Sequence, residues 1–403
     1  DTTTLSRTFS SDGNRKTFTI SFWMKTCVKT WSGLCTAGFE GAGASASGAE
    51  IYYAGDGTGT IDFRQSDNNS NTWRFTSSSG LRDPSAWYHI VVSCDTTQAT
   101  ASDRVKMWIN GVAETASTYT APSQNLDTRW MKTAWRIGAY DGNGPYGPFD
   151  GYFADWHVID GTAKQATDFG EFDTDTGQWV PIKYAGSYGT NGFKLSFSDN
   201  SGTTATTLGK DSSGNDNNFT CNNLSVSAGA GDDSSEDSPT NNFPTFNPLL
   251  NRTSYAAELT NGNLDCHLPN GSYYQHSTGT MAVKSGKWYW EVTVEDSGTS
   301  GDDTKCRIGI AEPFAPWVSQ EPVYRWRTYM RDGQKVVGNQ DSNATSAYGA
   351  SYTDGDVIGV ALDLDNGTLI MYKNGTSQGT LDSTVASAMG DYGWVAHVSG
   401  YAS

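Results

Sequence analysis

Glu291 and Glu295 are the acidic residues nearest to a catalytic pair in this sequence. Enzymes that hydrolyse glycosidic bonds need an acid and a nucleophile or base about 5 to 9.5 Å apart. Because side chains alternate along a strand, residues four positions apart are expected on the same face. Thr293 stands between them, where a third acid would help to separate their pKa values. The other acids considered lie near turns and lack a matching partner: Asp62, Asp67, Asp141 and Asp150.

Other reactive patterns are incomplete. No Gly-x-Ser-x-Gly nucleophile elbow lies between a predicted strand and a helix. Gly55-x-Gly57-x-Gly59 has no helix after it, so it does not predict a phosphate-binding loop. The six cysteines form no Cys-x-x-Cys motif and the five histidines are widely spaced, which disfavours a zinc site. Buried thiols are expected, with a Cys27–Cys35 disulfide as the alternative in oxidising surroundings.

Aromatic residues outside the predicted strands are candidates for ligand contacts, because sugars stack on flat rings while polar neighbours bind their hydroxyl groups. One group falls where the strand pattern is weak in the second half of the chain: Trp317, Tyr324, Trp326, Arg327, Tyr329 and Arg331. A second group is expected at loop tips in the first half: Trp73, Arg74, Tyr140, Asn143 and Tyr146. The alternative is that most of these rings fill the ends of β-sandwiches.

The composition is that of a folded, acidic protein. The chain has 403 residues, of which 12% are aromatic and 18% charged, and its net charge is −17. A surface of that sign repels phosphate backbones and anionic lipids, so nucleic acid is not an expected partner. Insertion into a membrane is not expected either, because no apolar run approaches the roughly 20 residues that span a bilayer.

The elements that must position these side chains are strands. Apolar and polar residues alternate in residues 18–24, 87–93, 105–109, 287–294 and 357–364, and no sustained helical stripe appears. Asn110-Gly111, Asn366-Gly367 and Asn374-Gly375 follow such runs and predict hairpins, since Asn-Gly tolerates the positive φ angles of a type I′ turn. The predicted fold is all-β, with two antiparallel, jelly-roll-like β-sandwich domains joined by a Gly/Ser/Asp-rich linker region.

The predicted domains are residues 1–165, a linker region with short strands at 166–250, and residues 251–403. Residues 211–218 and 228–239 consist largely of Asp, Ser, Asn and Gly, which cannot bury much apolar surface. The short strands of this region are expected to lie against a neighbouring domain.

From about residue 261 the sequence resembles a SPRY domain. The resemblance is carried by residues 286–292 (GKWYWEV), 307–311 (RIGIA) and 352–375, which begin YTDGDVIGVALDLDNG. It implies a bent β-sandwich that binds through loops at one edge, without catalysis. It also implies that the strand carrying Glu291 belongs to the framework.

Residues 1 to about 165 resemble the laminin-G-like branch of the concanavalin-type jelly rolls. Residues 18–25 (FTISFWMK), 87–92 (WYHIVV), 105–111 (VKMWING) and 149–156 (FDGYFADW) stand in the order of that family. No cofactor is expected, with Ca²⁺ as the alternative that this resemblance implies. Asp141 and Asp150, or Asp56 with Asp62, would supply some of the six to eight oxygens that the ion needs.

The order of the two domains, with residues 179–181 (WVP) and 188–193 (YGTNGF) between them, resembles virion proteins of tailed phages, especially marine ones. This resemblance implies a non-enzymatic structural or adhesion protein, a tail or capsid fibre or appendage, on the extracellular surface of the virion. The expected partners are host cell-surface glycans or proteins and other virion subunits, and a homo-oligomer is expected. The alternatives are a polysaccharide-degrading enzyme on a jelly-roll fold and a secreted cellular adhesin.

Overall fold

The chain folds as two compact units, Asp1–Phe243 and Pro244–Ser403. The structure is a computed structural model. It describes residues 3–27, 30–40, 47–68, 70–140, 147–227, 232–249, 257–268, 275–296, 306–313, 317–318, 321–322, 325–339 and 342–400. The two units are described separately below.

The first unit is built from strands that are mostly short and mostly antiparallel. They are β1 (Thr4–Thr8), β2 (Thr17–Thr26), β3 (Ser32–Glu40), β4 (Ser47–Tyr53), β5 (Ile61–Asp67), β6 (Ser70–Ser77), β7 (Tyr88–Asp95), β8 (Val105–Ile109), β9 (Val112–Ala113), β10 (Ala116–Thr120), β11 (Ala134–Ile137), β12 (Gly147–Pro148), β13 (Gly151–Asp160), β14 (Gly170–Phe172), β15 (Trp179–Pro181), β16 (Phe193–Leu195) and β17 (Thr220–Asn222).

These strands form a sandwich of two sheets. Sheet 1 runs β10-β6-β5-β4-β3-β11-β1-β17, with β12 beside β3, and sheet 2 runs β16-β13-β2-β7-β8-β9. Alternate side chains of the two sheets meet in one core, where Phe18 and Phe22 of sheet 2 and Ile51 and Phe63 of sheet 1 are fully buried. The period of two along each strand places one face of each sheet in this core, as predicted for an all-β sandwich.

Residues 166–243, most of the region predicted as a linker with short strands, belong to the first unit and pack onto it. Strand β16 pairs with β13, and β17 pairs with β1. Phe193 and Phe219 lie in the sandwich core, while Phe169 and Tyr184 cover Val91 on the outer face of sheet 2. A few widely spaced rings therefore bury apolar surface in a segment whose composition is otherwise polar.

The second unit has the strands of a second sandwich. They are β18 (Glu258–Thr260), β19 (Asp265–His267), β20 (Gln275–Thr278), β21 (Lys287–Thr293), β22 (Arg307–Ala311), β23 (Trp317–Val318), β24 (Glu321–Pro322), β25 (Trp326–Met330), β26 (Gln334–Asn339), β27 (Ser342–Ala347), β28 (Val357–Asp363), β29 (Thr368–Lys373), β30 (Thr376–Asp382) and β31 (Val395–Gly400). Helix α1 (Val385–Ala388) is a single turn. Within the described ranges, no helix is long and apolar enough to cross a membrane.

Two sheets enclose the core of the second unit. Sheet 3 runs β20-β31-β22-β25-β26-β27 and sheet 4 runs β21-β28-β29-β30. Ile308 and Tyr329 of sheet 3 pack with Val360 and Met371 of sheet 4 in one buried cluster. The all-β prediction is therefore confirmed in both units.

Two of the three predicted Asn-Gly turns have the expected backbone. Asn110 and Gly111 have φ angles of 48° and 79°, and Asn374 and Gly375 have φ angles of 48° and 74°. Positive φ at both residues is what a type I′ hairpin requires. The type I′ prediction is wrong at the third site, where Gly367 has a positive φ of 72° and a four-residue loop joins β28 to β29.

The cysteines form no disulfide, and all six lie among the described residues. Cys35 and Cys94 are fully buried, and burial raises the pKa of both thiols. The Cys27–Cys35 disulfide left open by the sequence is therefore wrong, and buried thiols are the outcome.

Candidate binding site

Trp73 and Arg74, predicted at a loop tip, lie instead on strand β6. The Trp73 side chain is fully buried in the sandwich core, with its ring edge-on to Phe63 at a centroid distance of 5.0 Å. Arg74, the next residue, projects to the opposite face of sheet 1, as strand alternation requires. The loop-tip prediction is wrong because a Trp-Arg pair on a strand places one side chain inside and the other outside.

The aromatic group predicted in the second unit is also largely structural. Trp326, Arg327 and Tyr329 lie on β25, which has β22 and β26 on its two sides, and all three side chains are buried. Arg327 forms a buried ion pair with Asp382. The prediction of an exposed ligand surface is wrong for these three residues, because Tyr329 lies in the main core and Trp326 lies in a separate buried cluster with Met330 and Val336. Arg331 follows the strand and is half-buried.

Of the other residues predicted to contact a ligand, the structure describes Tyr140 and Trp317. Tyr140 is half-buried and packs edge-on to Phe39 at 5.3 Å. Trp317 begins the short strand β23. Three residues lie outside the described residues and stay predictions: Tyr324, Asn143 and Tyr146.

The predicted metal ligands form no cation site where the structure describes them. Asp56 accepts the backbone N–H of Thr58 in a turn, whereas Asp62 pairs with Arg74. Asp150 is half-buried beside the start of β13, and Asp141 lies outside the described residues, so that pair stays untested. In the described part of the chain, no group of three or more His, Cys, Asp or Glu side chains is placed to hold a metal ion.

The predicted catalytic pair is not aligned on one strand. Glu291 is exposed on β21 and accepts a hydrogen bond from the hydroxyl of Tyr289 at 2.7 Å. Strand β21 ends at Thr293, so Glu295 lies beyond it. The two carboxylates therefore do not share the strand face on which the hypothesis depended.

A different cluster of charged residues occupies the outer face of sheet 1, on strands β4, β5 and β6. Glu50, Arg64 and Arg74 stand opposite one another in one row across the three strands. Tyr52, Asp62 and Thr76 form the next row. Their strand neighbours, such as Ile51 and Phe63, point into the core, so alternation places all six polar side chains on the same outer face. We call these six residues the polar cluster.

Ion pairs and hydrogen bonds connect the polar cluster. Arg64 Nε donates to Glu50 Oε1 at 2.5 Å, and the Arg64 guanidinium lies 4.4 Å from the centroid of the Tyr52 ring. Arg74 pairs with Asp62 and also donates to the Tyr52 hydroxyl at 3.2 Å. These contacts fix the orientation of both arginines over the two acids.

Two carboxylate oxygens of the polar cluster have no hydrogen-bond partner. Glu50 is 2% exposed and Asp62 fully buried, yet Glu50 Oε2 and Asp62 Oδ1 remain unpaired. Burial raises the pKa of Glu50, and this effect outweighs the opposing attraction of Arg64. A buried acceptor without a donor is costly, so each such oxygen in a native structure calls for a ligand or an ordered water.

The accessible rim of the polar cluster is aromatic and cationic. Trp31 is half-buried, and its ring centroid lies 5.3 Å from that of Tyr52. The Arg74 side chain is 29% exposed. An aromatic face, a guanidinium and two unpaired acceptors are the groups by which proteins bind polyhydroxylated molecules.

The sequence contained a signal for this cluster that the turn-based interpretation of Asp62 missed. Charged or tyrosine residues alternate with apolar ones in Glu50-Ile51-Tyr52 and in Asp62-Phe63-Arg64. Two consecutive predicted strands with this alternation place opposite charges side by side on the solvent face of a sheet.

A second aromatic surface lies on the outer face of sheet 4, on its edge strand β21. Tyr289 is 56% exposed, and its ring lies 6.3 Å from that of Tyr372. The hydrogen bond to Glu291 orients the Tyr289 ring and raises the pKa of its hydroxyl. Trp288, on the opposite side of the strand, is also exposed. The consecutive rings Trp288, Tyr289 and Trp290 were the available signal, because alternation prevents all three from facing one core.

Comparison with known proteins divides the chain in the same way as its fold. The family model of the SPRY domain matches residues 287–390, and that of the concanavalin A-like lectin/glucanases superfamily matches residues 2–167. The E3 ubiquitin-protein ligase RKP of Arabidopsis thaliana is 27% identical over 127 residues, which are 31% of this chain and 9% of the ligase. The chain thus spans only a small part of the length of that relative.

Similar solved structures include domains LG4-5 of the mouse laminin alpha1 chain and the SPRY domain of human HERC1. The laminin structure covers 99% of this chain and 78% of its own, with 10% identity and a TM-score of 0.32. The HERC1 domain covers 34% of this chain and 79% of its own, with 20% identity and a TM-score of 0.25. The family models therefore support a concanavalin A-like domain of laminin-G type over residues 2–167 and a SPRY domain over residues 287–390.

Proposed function

We propose that the chain is a non-enzymatic binding protein whose first unit binds glycans at the polar cluster. The observation that carries this proposal is the pair of unpaired, buried oxygens, Glu50 Oε2 and Asp62 Oδ1, beneath a rim that includes Trp31. A sugar offers hydroxyl donors to carboxylates and a flat apolar face to an indole ring. The match of residues 2–167 to a superfamily of lectins and glucanases supports the same class of ligand.

Arg74 is the movable part of the proposed site. Its side chain is partly exposed, whereas Asp62 beneath it is fully buried. When a sugar hydroxyl donates to Asp62, the Arg74 guanidinium turns outward and donates to another ligand oxygen. Without a ligand, the positive charge of Arg74 compensates that of the buried Asp62 carboxylate, so the unoccupied site does not leave an unpaired buried charge.

Replacement of Trp31 by alanine is expected to weaken glycan binding at least tenfold, or about 1.4 kcal/mol, because the ring that stacks on the sugar is lost. An array of neutral, sialylated and sulfated oligosaccharides identifies the ligand, and titration calorimetry with the array-positive oligosaccharide measures the affinity. Phe172→Ala is the matched control, since Phe172 is an exposed ring outside the cluster. Equal losses in both variants, or no array signal for the wild type, would contradict the proposal.

The proposed setting of this binding protein is the surface of a tailed-phage virion, as a tail or capsid appendage that attaches to host glycans or proteins. The order of the two domains and the net charge of −17 support an exposed, non-nucleic-acid-binding role. In a homo-oligomer, weak sites repeated on one particle bind through avidity. Immunogold imaging of intact particles tests this setting, and labelling confined to uninfected host cells would rule it out.

A second candidate function, polysaccharide hydrolysis, has one observation in its favour. Burial raises the pKa of Glu50, as a general acid requires, and Asp62 lies on the neighbouring strand of the same face. Against it, Arg64 and Arg74 form ion pairs with these two carboxylates, so neither acid is free to approach a glycosidic bond. Sugar release by the wild type that disappears in Glu50→Gln would favour the enzyme, whereas binding without release supports the adhesion role.

A further inference from the structure

Lys25 is buried in a way that few lysines are. It lies on β2 with its side chain on the outer face of sheet 2, and it is 0% exposed. Its ammonium donates to Asp237 Oδ2 at 2.8 Å, to Asn242 Oδ1 at 2.9 Å and to the carbonyl oxygen of Phe243 at 2.7 Å. Lysine is almost never fully buried unless it is paired, and these three acceptors provide the pairing here.

Asp237 is held in a fixed orientation beside this amine. Its side chain is 3% exposed, and its Oδ1 atom accepts the indole N–H of Trp87 at 2.8 Å. The Tyr152 ring lies 5.7 Å from the Lys25 nitrogen and helps to exclude water. The Asp237 carboxylate thus touches the Lys25 nitrogen directly and is positioned to exchange a proton with it.

Asn242 presents its carboxamide to the same amine. Its Nδ2 atom donates to the backbone carbonyl of Ser85 at 2.7 Å, and of the two carboxamide atoms only the nitrogen can donate. This contact fixes the amide so that its oxygen faces Lys25 and its nitrogen faces away. The nucleophile, the acid and the electrophile are thus within contact of one another, the geometry in which an intramolecular reaction has a high effective concentration.

We propose that Lys25 and Asn242 join in an intramolecular isopeptide bond, with Asp237 as the acid–base group. Asp237 first takes one proton from the Lys25 ammonium, and Nζ then attacks Cγ of Asn242 while Asp237 passes that proton to Oδ1. The Asp237 carboxylate then moves a proton from Nζ to Nδ2, the Cγ–Nδ2 bond breaks, and the Oδ1 proton returns to Asp237. An amine and a carboxamide become one secondary amide and one molecule of ammonia, without an oxidant or co-reactant.

The bond would tie strand β2 to the end of the first unit across a sequence separation of 217 residues. Closing a loop of this length covalently removes much of the conformational freedom of the unfolded chain. It would also hold residues 232–243 on sheet 2 under mechanical load. This inference rests on the Lys25 site alone and is independent of the proposed glycan site.

The test is the mass of the denatured, intact protein. The wild-type chain is expected to be lighter than its sequence by one ammonia, and its protease digest is expected to contain a branched peptide that joins Lys25 to Asn242. Asp237→Ala keeps both reacting groups and is expected to show the full sequence mass and no branched peptide. Asn241→Ala, the matched control at the neighbouring carboxamide, is expected to retain the branch.

A wild-type chain of full sequence mass overturns the proposal, whether or not any variant folds. So does an ammonia loss that maps to an Asn-Gly sequence with no branched peptide, because that loss comes from cyclisation of asparagine. A branched peptide that persists unchanged in Asp237→Ala overturns the role of Asp237.

Discussion

Replacing Arg327 with alanine is expected to lower the free energy of unfolding of the second unit by about 3–5 kcal/mol, because the change leaves a buried carboxylate without its partner. The Arg327 and Asp382 side chains are 6% and 7% exposed. Arg327 also donates to the carbonyl oxygens of Trp326 and Gly338 at 2.9 Å each. The pKa of Asp382 lies below its ordinary value. Burial alone would raise it, but the hydrogen bonds from Thr384 and Arg327 together outweigh that effect.

The measurement is the unfolding midpoint of the second unit in urea, followed by hydrogen exchange of the strands of sheets 3 and 4. Lys287→Ala is the control, since Lys287 forms an exposed ion pair with Asp363 and its loss is expected to leave the unfolding midpoint nearly unchanged. The sequence predicted Arg327 as a ligand contact. A variant that keeps its midpoint but loses ligand binding would favour that prediction over the structural role.

Acid is expected to destabilise the first unit by about 4 kcal/mol between pH 7 and pH 5, through two buried histidines. Burial lowers the pKa of His89 and of His157 to about 3, from an ordinary value of 6.5. His89 Nδ1 accepts the indole N–H of Trp179 at 2.9 Å, and an imidazolium nitrogen cannot accept. His157 Nδ1 lies 2.9 Å from the hydroxyl of Tyr188. Residues 179–190 therefore cover two imidazoles that are neutral in the native state.

The sign follows from which state binds more protons. Below pH 6.5 the unfolded chain protonates both histidines, whereas the folded chain does not until the pH approaches 3. Stability is thus fully present above pH 6.5 and is lost as the pH falls. The second unit is expected to lose about 2 kcal/mol of stability over the same pH range through His397, since burial lowers the pKa of its imidazole to about 3.

Urea unfolding at pH 7, 6 and 5 measures this dependence. His157→Gln is expected to halve the slope for the first unit, because glutamine does not titrate. His267→Gln is the control, since the His267 side chain is 68% exposed in the native state. Equal stability of the wild type at pH 7 and pH 5 would mean that the two histidines are protonated in the fold.

The features of the fold that the sequence predicts correctly are those that depend on neighbouring residues, namely strands and turns. Alternation along residues 18–24 and 357–364 predicted strands β2 and β28, and positive φ angles at Asn110 and Asn374 confirmed two of the predicted turns. The same rule failed for the candidate site. Trp73 and Trp326 are candidates for ligand contacts in the sequence, with burial in a sandwich as the alternative, and both lie buried on strands. A single sequence does not reveal which face of a strand another sheet covers.

The sequence by itself determined the all-β architecture, the presence of two sandwiches and their resemblance to laminin-G-like and SPRY domains, because strand period and turn chemistry are local properties. Only the tertiary structure placed Glu50 beside Arg64, and Lys25 beside Asp237 and Asn242. These contacts join residues up to 217 positions apart, and pairing across such distances depends on sheet order and on what covers each face. The acidic segment predicted as a linker supplies Asp237, and the charge of Lys25 compensates the burial of that carboxylate.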